Sequence, residues 1–268
     1  MKKYIFFLDI DGTLLRLDSG IHQEVIDAAK AFRKGGGDIV LSTGRSPLSS
    51  RWVAEKLDIT LPSILYGGAS LYDFSKNKHI VTYPLKETVF DAIRLLMKID
   101  EDISVQIFTS EKIYMLRCNE LYRARGIKEE YAASVAADIK DVRGDVIKIV
   151  MTCEEPQVLQ KIHDTIFTGS DYHFAFSGRR FAEVVAGNVS KAAMIKELLS
   201  KIDVPMERTF AAGDAMTDYQ MMIDCAYTFA PVDSNPKILE ICDETIPVCE
   251  EGGVAIALES ALRIMKSD

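Results

Sequence analysis

The stretch Phe7-Leu8-Asp9-Ile10-Asp11-Gly12-Thr13 places two carboxylates, one residue apart, directly after the first apolar run of the chain. The run from Tyr4 to Leu8 is typical of a short buried strand, and open parallel sheets bind ligands at the carboxyl ends of their strands. Gly12 lets the backbone approach an anion closely. The pattern indicates metal binding or phosphoryl transfer; its structural alternative is an Asp-Gly turn with two solvated aspartates.

Helical and extended patterns alternate after this stretch. Residues 23–33 carry apolar side chains at helical spacing, the glycines at 35–37 end that helix, and residues 38–42 form the next strand. A strand, a helix and a second strand in this order predict a parallel sheet. We expect the pattern to continue with a helix at 46–57, a strand at 63–66, a turn at 67–69 and an extended stretch to about Tyr83.

The pattern changes between residues 88 and 185. There we predict helices at 88–99, 120–131 and 156–167, and strands at 103–109, 112–118, 146–152, 172–177 and 181–185. The first rhythm then returns with a helix at 190–200, a strand at 208–212, a helix around 217–223, a strand near Tyr227 and a helix at 236–241.

The change in the order of predicted helices and strands indicates two domains. The fold class is α/β, with a doubly wound, Rossmann-like parallel-sheet core of residues 1–83 and 187–268 and an inserted α+β cap of residues 84–186. Short hinges are expected near 82–86 and 185–189, because no long linker separates the two patterns.

A second acidic cluster lies late in the chain. Asp214 and Asp218 follow the apolar run 209–212 and precede a helix. This order predicts that they lie at the same edge of the sheet as the acidic residues of the first motif. Their oxygens suit Mg²⁺, which binds few protein carboxylates and keeps several waters. The alternative is a helix cap formed by Asp214 or Thr217.

Cations and a hydroxyl stand where a phosphate would need them. Thr43 and Arg45 follow the second strand, and Lys191 begins the helix that Ser190 could cap. Each of these charges alone would be read as a solvated surface group. Their combination with the acidic motifs points to a phosphate site instead.

Composition narrows the class of protein. The chain has 268 residues, 48% hydrophobic and 27% charged, with a formal charge of -8. This is ordinary globular composition, and the acidic balance argues against a nucleic-acid partner. Asp9 and Asp11 interrupt the first apolar run too early for a signal peptide, and no apolar run has the roughly 20 residues needed to span a bilayer. Five scattered cysteines lack the close pairs of a zinc site, so we expect a soluble cytoplasmic protein with reduced thiols and no membrane partner.

Taken in order, the motifs resemble those of the haloacid dehalogenase superfamily. They are Asp-x-Asp-Gly-Thr at 9–13, Thr-Gly-Arg at 43–45, Gly-Asn-Val-Ser-Lys at 187–191, Gly-Asp-x-x-x-Asp at 213–218 and Glu-Gly-Gly-Val-Ala at 251–255. The large insertion before the lysine motif is similar to the α/β cap of the Cof-like sugar-phosphatase branch. The resemblance spans nearly the whole chain.

This resemblance implies an activity and a role for each motif. Asp9 would attack phosphorus and form an aspartyl phosphate, and Asp11 would be the general acid and then the general base. The implied Mg²⁺ ligands are Asp9, Asp214, Asp218 and the Asp11 carbonyl. The implied phosphate ligands are Thr43 and Lys191, with backbone N–H groups near Gly12 and Gly44 and with Arg45 nearby. A small phosphorylated metabolite, such as a sugar phosphate, would be the substrate.

Three departures from the family pattern are visible. Gly67-Gly68-Ala69 stands where members usually carry Asn-Gly-Ala, Thr217-Asp218 replaces the usual Asn-Asp, and Ala192 replaces the Gly that follows the lysine. The first change removes a side-chain amide from the site. The second leaves a hydroxyl near the metal ligands.

Several functions remain open from the sequence. A signalling receiver has a similar set of acidic, hydroxyl and lysine side chains but lacks a hundred-residue insert. A phosphosugar mutase of the same superfamily would return the phosphoryl group to a sugar, and a silent binding protein would keep the fold alone. Arg179, Arg180 and Glu183 are candidates for selecting the substrate, with an exposed turn and strand as the alternative. Neither the substrate nor the oligomeric state is readable from the motifs.

Overall fold

The computed structural model describes residues 3–16, 20–99 and 102–267. The elements up to the insertion are β1 (Tyr4–Leu8), α1 (Gln23–Lys34), β2 (Gly37–Leu41), α2 (Pro47–Lys56), β3 (Ser63–Leu65), β4 (Ser70–Asp73) and β5 (Lys78–Thr82). Then come α3 (Val89–Leu96), β6 (Ile103–Thr109), β7 (Ile113–Arg117), α4 (Glu120–Arg125), α5 (Lys128–Ala133), β8 (Val135–Ala136), β9 (Val146–Cys153), α6 (Pro156–Thr165), β10 (Tyr172–Gly178) and β11 (Phe181–Ala186). The last are α7 (Lys191–Ile202), β12 (Thr209–Ala212), α8 (Tyr219–Asp224), β13 (Tyr227–Pro231), α9 (Pro236–Leu239), β14 (Glu244–Ile246) and α10 (Gly253–Ser267).

The chain divides into a core unit, residues 1–80 and 190–268, and an inserted unit, residues 81–189. The inserted unit begins and ends about three residues beyond the expected range of 84–186.

A parallel sheet organises the core unit. Its strands lie in the order β14-β13-β12-β1-β2, and β1 pairs in parallel with both β12 and β2. All five residues of β1 are buried, as expected for a central strand covered on both faces. Phe6 lies at the centre of an aromatic cluster with Phe32, Phe210 and Phe229. This core fixes the position of the loop that follows β1.

The inserted unit is built on a second sheet, mostly antiparallel, in the order β10-β11-β9-β6-β7-β8. One face packs into an apolar core with α3 and α6, through residues such as Ile107, Ile149 and Val184. The other face carries buried polar groups, including a Ser104–Thr152 hydroxyl pair at 2.6 Å. The residues alternate between these faces because successive side chains of a strand point to opposite sides.

Local differences from the sequence-based expectations have identifiable causes. The extended stretch predicted up to Tyr83 contains a turn that separates β4 from β5, because Asp73 binds the backbone of Ser75 and Lys76. The single helix predicted at 120–131 is broken at Gly126, whose backbone is extended, with a φ of -68° and a ψ of 160°. Helix α10 and the short strands β8 and β14 were not predicted. Within the described ranges, no helix is both long and apolar enough to cross a membrane.

Candidate active site

Three adjacent strands of the core sheet deliver the predicted polar residues to one edge. Asp9 follows β1, Thr43 follows β2, and Asp214 follows β12. Since β1 lies between β2 and β12, the carboxyl ends of all three strands are neighbours. Lys191 joins them as the first residue of α7, whose N-cap Ser190 accepts a hydrogen bond from the Ala193 N–H at 3.1 Å.

Lys191 lies at the centre of the acidic group. Its Nζ donates to Asp9 Oδ1 at 2.6 Å and to Asp218 Oδ1 at 2.5 Å, and its side chain is only 4% exposed. Burial opposes the charge of Lys191, but the carboxylates of Asp218 and Asp9 outweigh it and raise the pKa of this lysine. The ammonium therefore stays charged in the interior, held by two carboxylates.

The carboxylates of Asp9, Asp214 and Asp218 form a compact cluster. One oxygen from each lies within 4.8 Å of the others. Burial raises the pKa of Asp9 well above its ordinary value despite the opposing charge of Lys191. Burial, followed by the charge of Asp218, raises the pKa of Asp214 to about 6. The cost of this crowding would fall if a cation bound between the carboxylates.

The donor set fits a divalent cation such as Mg²⁺. Three carboxyl groups lie beside a single ammonium, and all the donors are hard oxygens of the kind that Mg²⁺ prefers. Asp214 is held in place by Thr13, whose hydroxyl donates to its Oδ1 at 3.0 Å. A side chain at Gly12, which has a φ of +89°, would lie 2.4 Å from Asp214 Oδ2. Glycine is therefore required where the first loop passes the second acidic motif.

Asp218 uses both of its oxygens within the protein. Oδ1 accepts from Lys191, while Oδ2 accepts from the N–H groups of Ala215 at 3.1 Å and Asp214 at 3.3 Å. These contacts tie the lysine to the loop that carries Asp214. Asp218 thus orients two neighbours of the cluster in addition to lying within it.

Asp11 points to a different partner. Arg45 donates from Nε to Asp11 Oδ2 at 2.8 Å and from Nη2 to Asp11 Oδ1 at 2.6 Å. The sequence indicated Arg45 as a phosphate or substrate ligand, and the pairing with Asp11 was not anticipated. A guanidinium binds a carboxylate and a phosphate with the same fork, so residue type alone does not separate these partners.

Thr43 and the turn after β3 complete this edge of the sheet. The Thr43 hydroxyl accepts from the Arg45 N–H at 3.2 Å, which leaves its own proton available for donation. The N–H groups of Gly67 and Tyr66 donate to the carbonyls of Thr43 and Arg45. Sequence reasoning singled out Gly67 as a departure from the family but missed the structural part played by this turn; the pair of glycines was the available signal.

The candidates for substrate selection lie in the inserted unit. Arg179 and Arg180 occupy the turn between β10 and β11; Arg179 is exposed, and Arg180 pairs with Glu154 at 3.1 Å. Glu183 lies on β11, where it pairs with the buried Lys148 at 2.7 Å. The structure brings none of these three residues together into a cluster like that of Lys191.

Comparison with known proteins identifies the family. The chain belongs to the haloacid dehalogenase-like hydrolases, whose family model matches residues 6–258. This confirms the resemblance inferred from the motifs, and with it the enzyme class, a hydrolase acting on phosphate esters.

Three similar proteins each cover at least 95% of the chain. A Bacillus subtilis protein named 5-amino-6-(5-phospho-D-ribitylamino)uracil phosphatase YitU is 24% identical over 95% of this chain and 96% of its own. A haloacid dehalogenase-like hydrolase from Bacteroides thetaiotaomicron superposes with a TM-score of 0.83 at 19% identity, over 97% and 99% of the two chains. A sugar phosphatase of subclass IIB of the superfamily gives a TM-score of 0.83 at 18% identity, over 96% and 98%. These structures confirm the predicted α/β fold class.

Proposed function

We propose that this protein is a Mg²⁺-dependent phosphatase that hydrolyses a small phosphate monoester through a phosphate ester of Asp9. The observation that carries the proposal is the buried cluster in which Lys191 binds Asp9 and Asp218 beside Asp214. A buried ammonium next to a buried carboxylate can hold the oxygens of a phosphate close to a nucleophile that would otherwise repel them.

The chain's own residues would perform the chemistry in two steps. An oxygen of Asp9 attacks phosphorus, the bond from phosphorus to the leaving oxygen breaks, and Asp11 gives that oxygen a proton. A water then attacks phosphorus and gives its proton to Asp11, the bond from phosphorus to the Asp9 oxygen breaks, and inorganic phosphate and the free Asp9 carboxylate result. The bond from Lys191 to Oδ1 orients the Asp9 carboxylate for the attack.

Mg²⁺, held by Asp9 and Asp214 with Asp218 close by and with the Asp11 carbonyl, would neutralise phosphate charge and lower the repulsion between dianion and carboxylate. Thr43 and the N–H groups near Gly12 and Gly44 would bind the remaining phosphate oxygens.

The inserted unit would select the substrate, as the resemblance implies. Within this unit, the sheet face opposite the apolar core carries a charged pair, Lys148 and Glu183, at 2.7 Å. Curated relatives include proteins named 5-amino-6-(5-phospho-D-ribitylamino)uracil phosphatases. Phosphorylated sugars and sugar alcohols are therefore the first class of substrate to screen.

The direct test follows both the metal and the covalent step. Wild-type protein should release phosphate from members of a phosphorylated-metabolite panel with Mg²⁺ and stop in excess EDTA. Measuring isomerised sugar phosphate in the same reactions separates hydrolysis from a mutase. Full turnover in EDTA would contradict the proposal.

Quenched-flow labelling distinguishes the two aspartates of the first motif. Asp9→Ala should form no phospho-enzyme, because the nucleophile is gone. Asp11→Asn should be slow on alkyl phosphates by a factor of about 10² to 10⁴ but still be labelled by an aryl phosphate, whose phenolate leaves without full protonation. Label on Asp9→Ala would contradict the assignment of the nucleophile.

A further inference from the structure

The guanidinium of Arg45 grips the carboxylate of Asp11 at both oxygens. The contacts of 2.8 Å from Nε and 2.6 Å from Nη2 form a bidentate pair, which fixes the plane of a carboxylate as well as its position. A lysine at the same place would offer a point charge and could not fix that plane. The pair therefore controls where the oxygens of Asp11 point.

Arg45 is the anchored member of this pair. Its side chain is 5% exposed, whereas that of Asp11 is 46% exposed. The Arg45 carbonyl accepts from the Tyr66 N–H at 3.0 Å, and its Nη1 donates to the Ser49 carbonyl at 3.3 Å. Each side-chain nitrogen of Arg45 thus donates to an atom of the protein.

We propose that Arg45 is a positioning residue for Asp11 and that it does not bind the substrate itself. It holds the Asp11 carboxylate in the orientation from which Asp11 exchanges a proton with the leaving oxygen. This inference rests on the proposed phosphatase function, in which Asp11 is the general acid and base. It replaces the sequence-based expectation that Arg45 is a phosphate or substrate ligand.

The test is a double-mutant cycle with two classes of substrate. The probes are p-nitrophenyl phosphate and the alkyl phosphate that the wild type hydrolyses fastest. Arg45→Met and Arg45→Lys should lower kcat on the alkyl phosphate about tenfold to a hundredfold, with less than about a threefold effect on the aryl ester, because only the alkoxide needs the acid. In the Asp11→Asn background, Arg45→Met should add less than about threefold, since its effect acts through Asp11.

Arg51 provides the matched control. It lies on α2, close in sequence to Arg45, and its guanidinium donates to Asn77 Oδ1 at 2.6 Å, outside the acidic cluster. Arg51→Met should leave the ratio of alkyl to aryl turnover unchanged. If Arg45→Met fails to fold, Arg45→Lys takes its place in the test, because it keeps the buried positive charge.

Two results would overturn the inference. If Arg45→Met raised KM for both substrates and multiplied the loss caused by Asp11→Asn, Arg45 would be a substrate ligand. If the Arg45 Nε–H signal in a proton–nitrogen NMR spectrum of the wild type were unchanged by Asp11→Asn, the pair would not exist. The NMR measurement needs no turnover, so it tests the pairing of Arg45 with Asp11 independently of the proposed function. A wild type that hydrolyses no ester would refute the proposed function, and the NMR result would still decide whether the pair exists.

Discussion

At the scale of single residues, the two glycines after β3 share a left-handed backbone but differ in their surroundings. Gly67 has a φ of +67°, and a side chain added there would meet nothing within 4 Å. Gly68 has a φ of +107°, and its added Cβ would lie 2.3 Å from the Ser190 carbonyl oxygen. Because Lys191 follows Ser190 directly, Gly68 sets how closely this turn approaches Lys191.

Alanine substitutions separate the strain of the left-handed backbone, which both glycines share, from the close contact with Ser190, which only Gly68 makes. Gly67→Ala should cost about 1–2 kcal/mol of unfolding free energy through backbone strain alone. Gly68→Ala should cost about 1–3 kcal/mol more, because the backbone at Ser190 must move away from the new methyl group. Chemical denaturation measures both values, and Gly68→Ala alone should also slow phosphate release by displacing Lys191. Equal losses in the two variants would contradict the close approach.

At the scale of an element, the turn between β4 and β5 depends on one carboxylate. Oδ1 of Asp73 accepts from the N–H groups of Ser75 at 2.9 Å and Lys76 at 3.1 Å, and Oδ2 accepts from the Lys76 ammonium at 2.8 Å. The hydrogen bonds from Lys76 and then Ser75 lower the pKa of Asp73 to about 2. The ionised carboxylate therefore holds this turn in shape.

The lowered pKa predicts a pH-dependent contribution to stability. Since the folded pKa lies below the unfolded one, the contribution is present above about pH 4 and is lost as the pH falls toward 2. Asp73→Asn should cost about 1–2 kcal/mol of unfolding free energy near pH 7, and the difference from wild type should shrink between about pH 4 and pH 2. Asp27→Asn, at an aspartate whose side chain is 62% exposed, is the control and should change the free energy of unfolding at pH 7 by less than about 0.5 kcal/mol. A loss for Asp73→Asn that is the same at pH 7 and pH 2 would refute the role of the charge.

At the scale of the whole molecule, folding brings three carboxyl groups together beside one ammonium inside the core unit. The unfolded chain disperses the carboxylates of Asp9, Asp214 and Asp218, so a cation that needs all of them binds the native state preferentially. Metal binding is thus expected to appear as added thermal stability, independently of any substrate.

Calorimetry with and without Mg²⁺ tests that expectation. Saturation at about 100 times the Kd should add about 2.7 kcal/mol to the wild type, and Asp214→Asn should lose most of this gain. Asp38→Asn is the matched control, because Asp38 lies near the amino end of β2 and pairs with Lys3 at 2.9 Å, away from the carboxyl edge of the sheet. An equal loss of the Mg²⁺ effect in both variants would refute the placement of the metal.

The sequence by itself determined the order of elements around the site and the chemical types gathered there. Apolar runs followed by Asp9 and by Asp214 predicted strand ends at one sheet edge, since burial and strand direction are local properties of the chain. The helix beginning at Lys191 after Ser190 was likewise readable from its capping residue. These parts rest on short-range rules.

The tertiary structure decided which partner each charged group has. Arg45 suits a phosphate or a carboxylate equally, and only folding brings the Asp11 oxygens within 2.8 Å of its guanidinium. The bond from Lys191 to Asp218 Oδ1, which joins residues 27 positions apart in the chain, forms for the same reason. A hydrogen bond forms only when its donor and acceptor atoms lie about 3 Å apart. For residues far apart in the chain, the packing of the whole fold sets that separation, and no local sequence pattern encodes it.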